Sequence, residues 1–131
     1  MSGPTSFTGL GECRFVSLTT YRRSGDAVAT PVWVARDGDA LLVITPDGSG
    51  KVKRLRRDGR VQLRPCSRTG RVAADAPTFS GRAELTDAAG TTDVRDRIRC
   101  KYGLEYRVVM LVERLAAGRA QSRVGLRITA A

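Results

Sequence analysis

The middle of the chain reads Thr45-Pro-Asp-Gly-Ser-Gly-Lys-Val-Lys-Arg-Leu-Arg-Arg-Asp-Gly-Arg-Val61, a tight turn followed by a basic segment. The Pro-Asp-Gly turn ends an apolar strand, and Ser49 then stands where a helix N-cap accepts a hydrogen bond from a free backbone N–H. We therefore predict a short helix over residues 50–58. Gly59 is expected to end it in the left-handed conformation.

This predicted helix is basic around most of its circumference. Val52 and Leu55 point to one side, and the other positions are mainly Lys51, Lys53, Arg54, Arg56 and Arg57. The free N–H groups of the first turn, the positive end of the helix dipole and the two lysines suit a phosphate or a carboxylate-bearing ligand. The competing interpretation is a solvated surface helix in an Arg-rich chain.

Composition limits the chemistry that the chain can perform. It has 131 residues, a net charge of +10 and no histidine. We expect a single domain over 1–131, with 1–11 as a flexible lead-in. Without histidine, Ser-His-Asp relays, Cys-His relays and the usual zinc sites are excluded, so an enzyme of this sequence needs a cofactor for the hard step. The positive charge indicates an anionic partner, which is a nucleic acid, a membrane surface or a polyanionic small molecule.

The sequence also carries signals about its compartment. It has no run of about eighteen apolar residues, and its N-terminus lacks the charged and then apolar pattern of a secretory signal. Three cysteines, an odd number, are far apart at Cys13, Cys66 and Cys100, which argues against a disulfide framework and a zinc site. We expect a cytoplasmic protein without a membrane partner or a bound metal.

The rest of the chain is dominated by strand patterns. Apolar or alternating runs predict strands over residues 13–20, 28–35, 40–45, 61–64, 78–85, 106–115 and 124–128. A second helix is predicted after the fifth strand, capped by Thr91 or Thr92 and ended by Gly103. Six to seven antiparallel strands with two inserted helices predict a mainly β fold, a small β-barrel capped by helices.

Pro31 interrupts the second predicted strand. Because proline lacks an N–H, this strand lies at a sheet edge or is locally opened, and an opened strand can hold a flat ligand against its backbone. Trp33 lies on the same face two residues later. A plain edge strand and a core tryptophan are the competing interpretations.

Several blocks of the sequence carry a family resemblance: Ala29-Thr-Pro-Val-Trp-Val34, Asp37-Gly-Asp39, Ile44-Thr45, Ser49 to Val61, Pro65-Cys66, Gly70-Arg-Val72, Gly81-Arg-Ala-Glu84 and Arg99-Cys-Lys-Tyr-Gly103. They resemble the pyridoxamine 5′-phosphate oxidase-like split β-barrel superfamily, which binds FMN and related cofactors. Within it, the blocks are most similar to the branch of deazaflavin-dependent (coenzyme F420) oxidoreductases. The resemblance covers residues 18–107 and is most specific over 33–60.

The resemblance implies a homodimer with two equivalent sites at the subunit interface. A flat ring would lie along the strand that contains Thr30, Pro31, Val32 and Trp33. The phosphate would lie beside the start of the basic helix, and the oligoglutamate tail of coenzyme F420 would meet the same helix further on. The residues implied in phosphate binding are Thr45, Ser49, Lys51 and Lys53, and those implied in tail binding are Arg54 and Arg57.

The implied activity is hydride transfer between the reduced deazaflavin and a small organic substrate. No catalytic residue is assigned, although Tyr21, Tyr102 and Tyr106 are candidate proton donors. One alternative is an FMN-binding oxidase or a flavin carrier of the same fold. Another is a nucleic-acid binder that uses residues 51–71, a basic segment without the aromatic residues that stack on single-stranded bases.

Overall fold

The computed structural model describes residues 4–117 and 122–131. In these residues a 3₁₀ turn (Thr8–Glu12) precedes seven strands and three α-helices. The elements are β1 (Val16–Tyr21), β2 (Ala27–Val32), β3 (Ala35–Asp37), β4 (Ala40–Pro46), α1 (Gly50–Arg57), β5 (Arg60–Pro65), β6 (Phe79–Leu85), α2 (Ala88–Tyr102), α3 (Leu104–Ala117) and β7 (Arg123–Ala130).

The strands form one curled antiparallel sheet in the order β2-β1-β5-β6-β7-β4-β3. The mainly β architecture with seven antiparallel strands is therefore confirmed. β2 lies at one edge, where Pro31 faces Ser17 of β1 and its missing N–H costs no hydrogen bond to a further strand. The Asp-Gly pair at residues 37 and 38 is a sequence signal for a tight hairpin, and a hairpin at residues 37–39 joins β3 to β4. Gly38 supplies the positive φ of +60° that the turn requires.

The strand β4 is buried on both faces. Leu41 and Val43 belong to the core cluster that fills the inside of the curled sheet. Leu42 and Ile44 face the other way and pack with residues of α2 and α3, among them Val94, Ile98, Tyr102 and Tyr106. This two-sided burial explains why the strand is an uninterrupted apolar run.

The structure corrects the predicted start of the second helix. α2 begins at Ala88, because Asp87 is the N-cap and its side chain accepts a hydrogen bond from Gly90 N at 2.8 Å. Thr91 is instead buried inside the first turn, where its hydroxyl oxygen lies 2.8 Å from that of Thr86. Gly103 ends α2 as predicted, with a φ of +53°.

The predicted strand over Tyr106 to Leu115 was wrong, since this segment belongs to the helix α3. The β-branched run Val108-Val-Met-Leu-Val112 favoured a strand. The apolar residues at positions 104, 108, 111 and 115, however, have the 4-3-4 spacing of a helix face. α3 begins directly after Gly103, so the two helices meet at an elbow without a loop.

The basic helix α1 forms over nearly the predicted residues. Ser49 occupies the N-cap position but makes no side-chain capping bond, and its Oγ lies 3.4 Å from Thr45 Oγ1. The left-handed conformation predicted for Gly59 was wrong, because α1 ends at Asp58 in an extended conformation. Gly59 is needed for space, since a Cβ there would lie 2.9 Å from the carbonyl oxygen of Ala83.

Other boundaries differ from the predictions. The lead-in predicted as flexible over 1–11 contains the 3₁₀ turn, and Leu10 is fully buried in the core; residues 1–3 lie outside the described residues. β1 begins at Val16 rather than residue 13, and the predicted strand 28–35 is divided at Trp33 and Val34. The connection predicted before the last strand falls partly on 118–121, which the structure does not describe. No helix of the described residues is long and apolar enough to cross a membrane.

Gly125 tests the packing of β7 against α2. A Cβ at this position would lie 2.6 Å from Thr86 Oγ1 and 2.9 Å from Val94 Cγ2. Gly125→Ala is expected to lower the free energy of unfolding by about 1–3 kcal/mol, because the added methyl group overpacks the contact. The control Gly48→Ala, where no atom lies within 4 Å of the new Cβ, should change it by less than about 0.5 kcal/mol in the same urea titration. Equal effects of the two substitutions would contradict this account.

Candidate functional site

A groove of about 290 Å³ lies where the ends of β2 and β4 approach the starts of α1, α3 and β7. Its lining combines apolar and aromatic side chains with three cations and one carboxylate: Phe15, Pro31, Val32, Trp33, Ile44, Thr45, Pro46, Lys51, Arg68, Glu105, Val109, Met110 and Arg123. An apolar cleft with a few polar groups is typical of a site for a flat organic ligand. A larger groove of about 430 Å³ at the α2–α3 elbow lacks aromatic lining residues.

The groove brings together half of the residues that the sequence predicted to bind a cofactor. Pro31, Val32, Trp33, Thr45 and Lys51 line it. Ser49 is next to them through its 3.4 Å contact with Thr45. Thr30 precedes Pro31 on β2, and its Oγ1 is buried without a hydrogen-bond partner among the described residues.

The other three predicted residues do not line the groove. Lys53 is exposed on α1. Arg54 Nε donates a 2.7 Å hydrogen bond to Thr20 Oγ1, and Arg57 Nη2 donates one of 2.7 Å to the carbonyl oxygen of Tyr21. Both guanidinium groups therefore tie α1 to the end of β1.

Lys51 is the cation at the start of α1. Its side chain is half-buried, and this burial, together with the charge of Arg54, lowers the pKa of the Lys51 ammonium. No carboxylate of the described residues forms an ion pair with it. A desolvated cation without an acidic partner, next to the free N–H groups of a helix N-terminus, is an arrangement suited to an anion.

The wall of the groove that α3 provides was not predicted from the sequence. Glu105, Val109 and Met110 all line the groove, and the strand predicted over Tyr106 to Leu115 would not have placed them there. Arg123 of β7 pairs with Glu113 of the same helix. The helical 4-3-4 spacing was the signal that could have placed this wall.

Glu105 is the carboxylate of the groove, and three side chains converge on it. Trp33 Nε1 donates a 3.2 Å hydrogen bond to Glu105 Oε2. Arg14 forms an ion pair with the same carboxylate, and Arg68 Nη2 lies 3.7 Å from it. Since these groups come from residues far apart in the sequence, no local motif indicated their meeting.

Tyr102 supports Trp33 from below the groove. The two rings stack with their centroids 4.9 Å apart. The Tyr102 hydroxyl accepts a 3.0 Å hydrogen bond from Val34 N and donates a 2.7 Å hydrogen bond to the carbonyl oxygen of Arg14. Burial raises the pKa of Tyr102 from 10.0 to about 12. None of the three tyrosines considered as proton donors lines the groove among the described residues.

Lys101 fixes the backbone around the same place. Its ammonium donates hydrogen bonds to the carbonyl oxygens of Gly11 at 2.8 Å, Cys13 at 2.6 Å and Val34 at 2.7 Å. Burial lowers the pKa of this ammonium. Lys101 is thus a structural cation that joins the 3₁₀ turn, the residues just before β1 and Val34, the residue after Trp33.

The comparisons with known proteins agree with this architecture. The family model described as pyridoxamine 5′-phosphate oxidase matches residues 6–131. It confirms the predicted split β-barrel of the pyridoxamine 5′-phosphate oxidase-like type. The search of curated protein sequences gives no match to the chain.

Several solved structures are similar to the chain. A conserved hypothetical protein from Mycobacterium tuberculosis is 24% identical with a TM-score of 0.67, and the match covers 92% of this chain and 75% of that one. A FAD-binding protein from Mesorhizobium loti is 17% identical with a TM-score of 0.61, and the match covers 92% of this chain and 82% of that one. A protein described as an F420 reductase is 16% identical with a TM-score of 0.54, and the match covers 98% of this chain and 95% of that one. At these identities the likeness shows the fold alone.

The titration of Tyr102 gives a test of the arrangement below the groove. Because its pKa is raised in the folded state, the hydroxyl contributes stability that is fully present below pH 10 and is lost as the pH rises towards about 12. An ultraviolet titration of phenolate absorbance should show a step near pH 12 that is missing in Tyr102→Phe. Tyr21→Phe is the control and should retain this step. A complete titration of the wild-type protein by pH 11 would contradict the burial of the Tyr102 hydroxyl.

Proposed function

Because the chain belongs to the pyridoxamine 5′-phosphate oxidase family, we propose that it is an oxidoreductase whose groove binds coenzyme F420 and which transfers a hydride between this cofactor and a small organic substrate. The whole described chain would serve as one deazaflavin-binding domain. The observation that carries the proposal is that one groove holds an aromatic wall, Trp33, and a half-buried cation, Lys51, that has no acidic partner among the described residues.

The phosphate end of the cofactor fits the start of α1. Lys51 has no acidic partner in the described residues, and Ser49 leaves the N–H groups of the first helical turn without a side-chain cap. The hydroxyl of Thr45 lies beside that of Ser49. Together these groups offer positive charge and hydrogen-bond donors to a phosphate.

The ring of the cofactor fits the end of β2. Pro31, Val32 and Trp33 follow one another along the groove at a sheet edge, where no other strand of the described residues pairs with the outer side of β2. Thr30, the residue before Pro31, does not line the groove, and its Oγ1 is buried with no hydrogen-bond partner in the described chain.

The bound cofactor would supply the hydride chemistry itself. The residues of this chain would hold the ring, orient the substrate and keep water away. Ile44, Val109 and Met110 give the groove apolar surface for the last two tasks. This division of labour agrees with a sequence that has no histidine.

FMN is the second candidate cofactor, and one observation favours it. Arg54 and Arg57, which the family resemblance assigns to the oligoglutamate tail of F420, are already hydrogen-bonded to residues of β1. FMN ends in a single phosphate and would need only the Lys51 end of the groove. The nucleic-acid alternative is weaker, because Lys51 faces the groove and Arg60, in the same basic segment, pairs with Asp58.

We also propose that the protein is a homodimer in which α3 meets a second copy of this chain. Its outer face exposes Leu104, Val108, Leu111, Val112 and Leu115, each between 50% and 76% accessible. The spacing at 104, 108, 111 and 115 is that of a coiled-coil seam, and an antiparallel twofold pairing would set residue 104 against 115 and residue 108 against 111. The neighbouring Val109 also lines the groove, so a second copy would extend its wall.

Binding of the cofactor is the first test. Trp33 is the only tryptophan of the chain and lines the groove, so its fluorescence reports occupancy. Titration with oxidised coenzyme F420 and with FMN should give saturable quenching. Lys51→Ala is expected to weaken binding at least tenfold, because the desolvated cation is lost. Lys53→Ala, a matched change on the exposed side of α1, should weaken it less than threefold.

The salt dependence of binding separates the two cofactors. For F420, affinity should fall as salt is added, and Arg54→Ala and Arg57→Ala should reduce that dependence because the tail carries several carboxylates. For FMN, these two substitutions should have little effect. If neither cofactor quenches Trp33 in the wild-type protein, the proposed function is wrong.

The dimer proposal predicts a change of mass in solution. Leu111→Glu places a charge at the centre of the exposed face of α3 and should convert the protein from dimer to monomer in sedimentation velocity. Ala73→Glu, at an exposed position between β5 and β6, is the control and should leave the dimer intact. A wild-type protein that sediments as a monomer at high concentration would refute the dimer.

A further inference from the structure

We propose that Glu105 is a positioning residue that sets the orientation of Trp33 and thereby the shape of the groove. It lies in the first turn of α3, and only 17% of its side chain is accessible. Its role in ligand binding rests on the proposed function, whereas its effect on Trp33 is a property of the protein without any ligand.

Trp33 needs an additional constraint because it lies outside the strands. It occupies the break between β2 and β3, so no strand ladder holds its backbone. Its ring stacks on Tyr102 at an interplanar angle of 23° and lies 5.9 Å from the ring of Tyr106. Stacking fixes the plane of the indole but leaves open which edge faces the groove, since the outer torsion of a tryptophan side chain is broad.

The hydrogen bond to Glu105 makes that choice. The indole has a single N–H donor, and it donates to Glu105 Oε2 at 3.2 Å. A rotated indole would keep the contact with Tyr102 but would leave a partly buried N–H unpaired. The carboxylate therefore selects one of the orientations that stacking permits.

Two arginines hold this carboxylate in place. Arg14 pairs with Oε1 and also lies with its guanidinium carbon 4.9 Å from the centre of the Tyr102 ring. Nη2 of Arg68 lies 3.7 Å from Glu105 Oε2, and its guanidinium carbon lies 5.4 Å from the centre of the Phe15 ring. Because both cations are also placed over aromatic rings, they offset the burial of the carboxylate and limit its movement.

The consequence for the groove is that one side chain of α3 controls a wall contributed by the sheet. Trp33, Glu105 and Arg68 all line the groove. Loss of the Glu105 acceptor would free the indole to turn and would release Arg68 from its position at the same end. Ligand affinity should fall even though none of the residues at the Lys51 end is changed.

The test compares Glu105→Met, which keeps the length of the side chain but removes the oxygen acceptor, with Glu105→Gln, which retains one oxygen. The chain has one tryptophan, so its indole N–H gives one signal in a ¹⁵N-labelled protein. In the absence of ligand, this proton should exchange with water at least fivefold faster in Glu105→Met than in the wild type. Glu105→Gln should restore exchange to within twofold. Glu84→Gln, an exposed position on β6, is the matched control.

Ligand binding is the second arm of the experiment. Glu105→Met should weaken binding of the cofactor about tenfold, with Glu105→Gln much closer to the wild type. The positioning role would be overturned if the exchange rate of the indole N–H were unchanged in Glu105→Met. It would also be overturned if Glu105→Met and Glu105→Gln lost the same cofactor affinity. If the wild-type protein binds neither F420 nor FMN, the proposed function fails, but the indole measurement still decides the role of Glu105.

Discussion

The ammonium group of Lys101 is the interaction on which the arrangement of the site depends. It bonds to three backbone carbonyl groups, and the adjacent Tyr102 hydroxyl bonds to the backbone of Val34 and Arg14. Two consecutive residues at the end of α2 thus hold the 3₁₀ turn, the approach to β1 and the segment after β2. Trp33 lies immediately before Val34 and stacks on Tyr102, so this helical turn holds the backbone next to Trp33 and the plane of its ring, while Glu105 accepts the hydrogen bond of the indole N–H. The aromatic wall of the groove therefore depends on contacts made by the last turn of α2.

Much of the fold could be predicted because its signals are local. The Asp-Gly hairpin after β3, the basic helix α1 and the end of α2 at Gly103 each depend on a few neighbouring residues whose conformational preferences are strong. The boundaries that were wrong involve competition between signals. At α3 the β-branched residues favoured a strand while the spacing favoured a helix, and at α2 an aspartate upstream was a better cap than the threonines. The conformation of Gly59 is set by contact with Ala83 of β6, which no local pattern encodes.

The residues of the candidate site likewise include some that the sequence could indicate and others that only the tertiary fold brings together. The residues that line the groove from β2, β4 and α1 belong to contiguous blocks, so a family resemblance could point to them. Those contributed by α3 and by the loop that carries Arg68 reach the groove only through the tertiary fold. Arg54 and Arg57, for which the family resemblance implies a contact with the cofactor tail, each donate a hydrogen bond to β1. Charge in a sequence indicates where cations are, and the fold decides what each cation faces.

The elbow at Gly103 separates the barrel from one wall of its own groove. In α3 Tyr106 is the buried residue, and the helix contributes Glu105, Val109 and Met110 to the groove while most of its apolar residues face outwards. A substitution at Val109 would therefore change the shape and polarity of the groove alone, whereas Met110 also packs against the buried cluster that contains Leu42 and Ile44 of β4. Such an arrangement would let the shape of a groove diverge while the scaffold stays constant, because an exposed position of the helix tolerates changes that the buried strands would not.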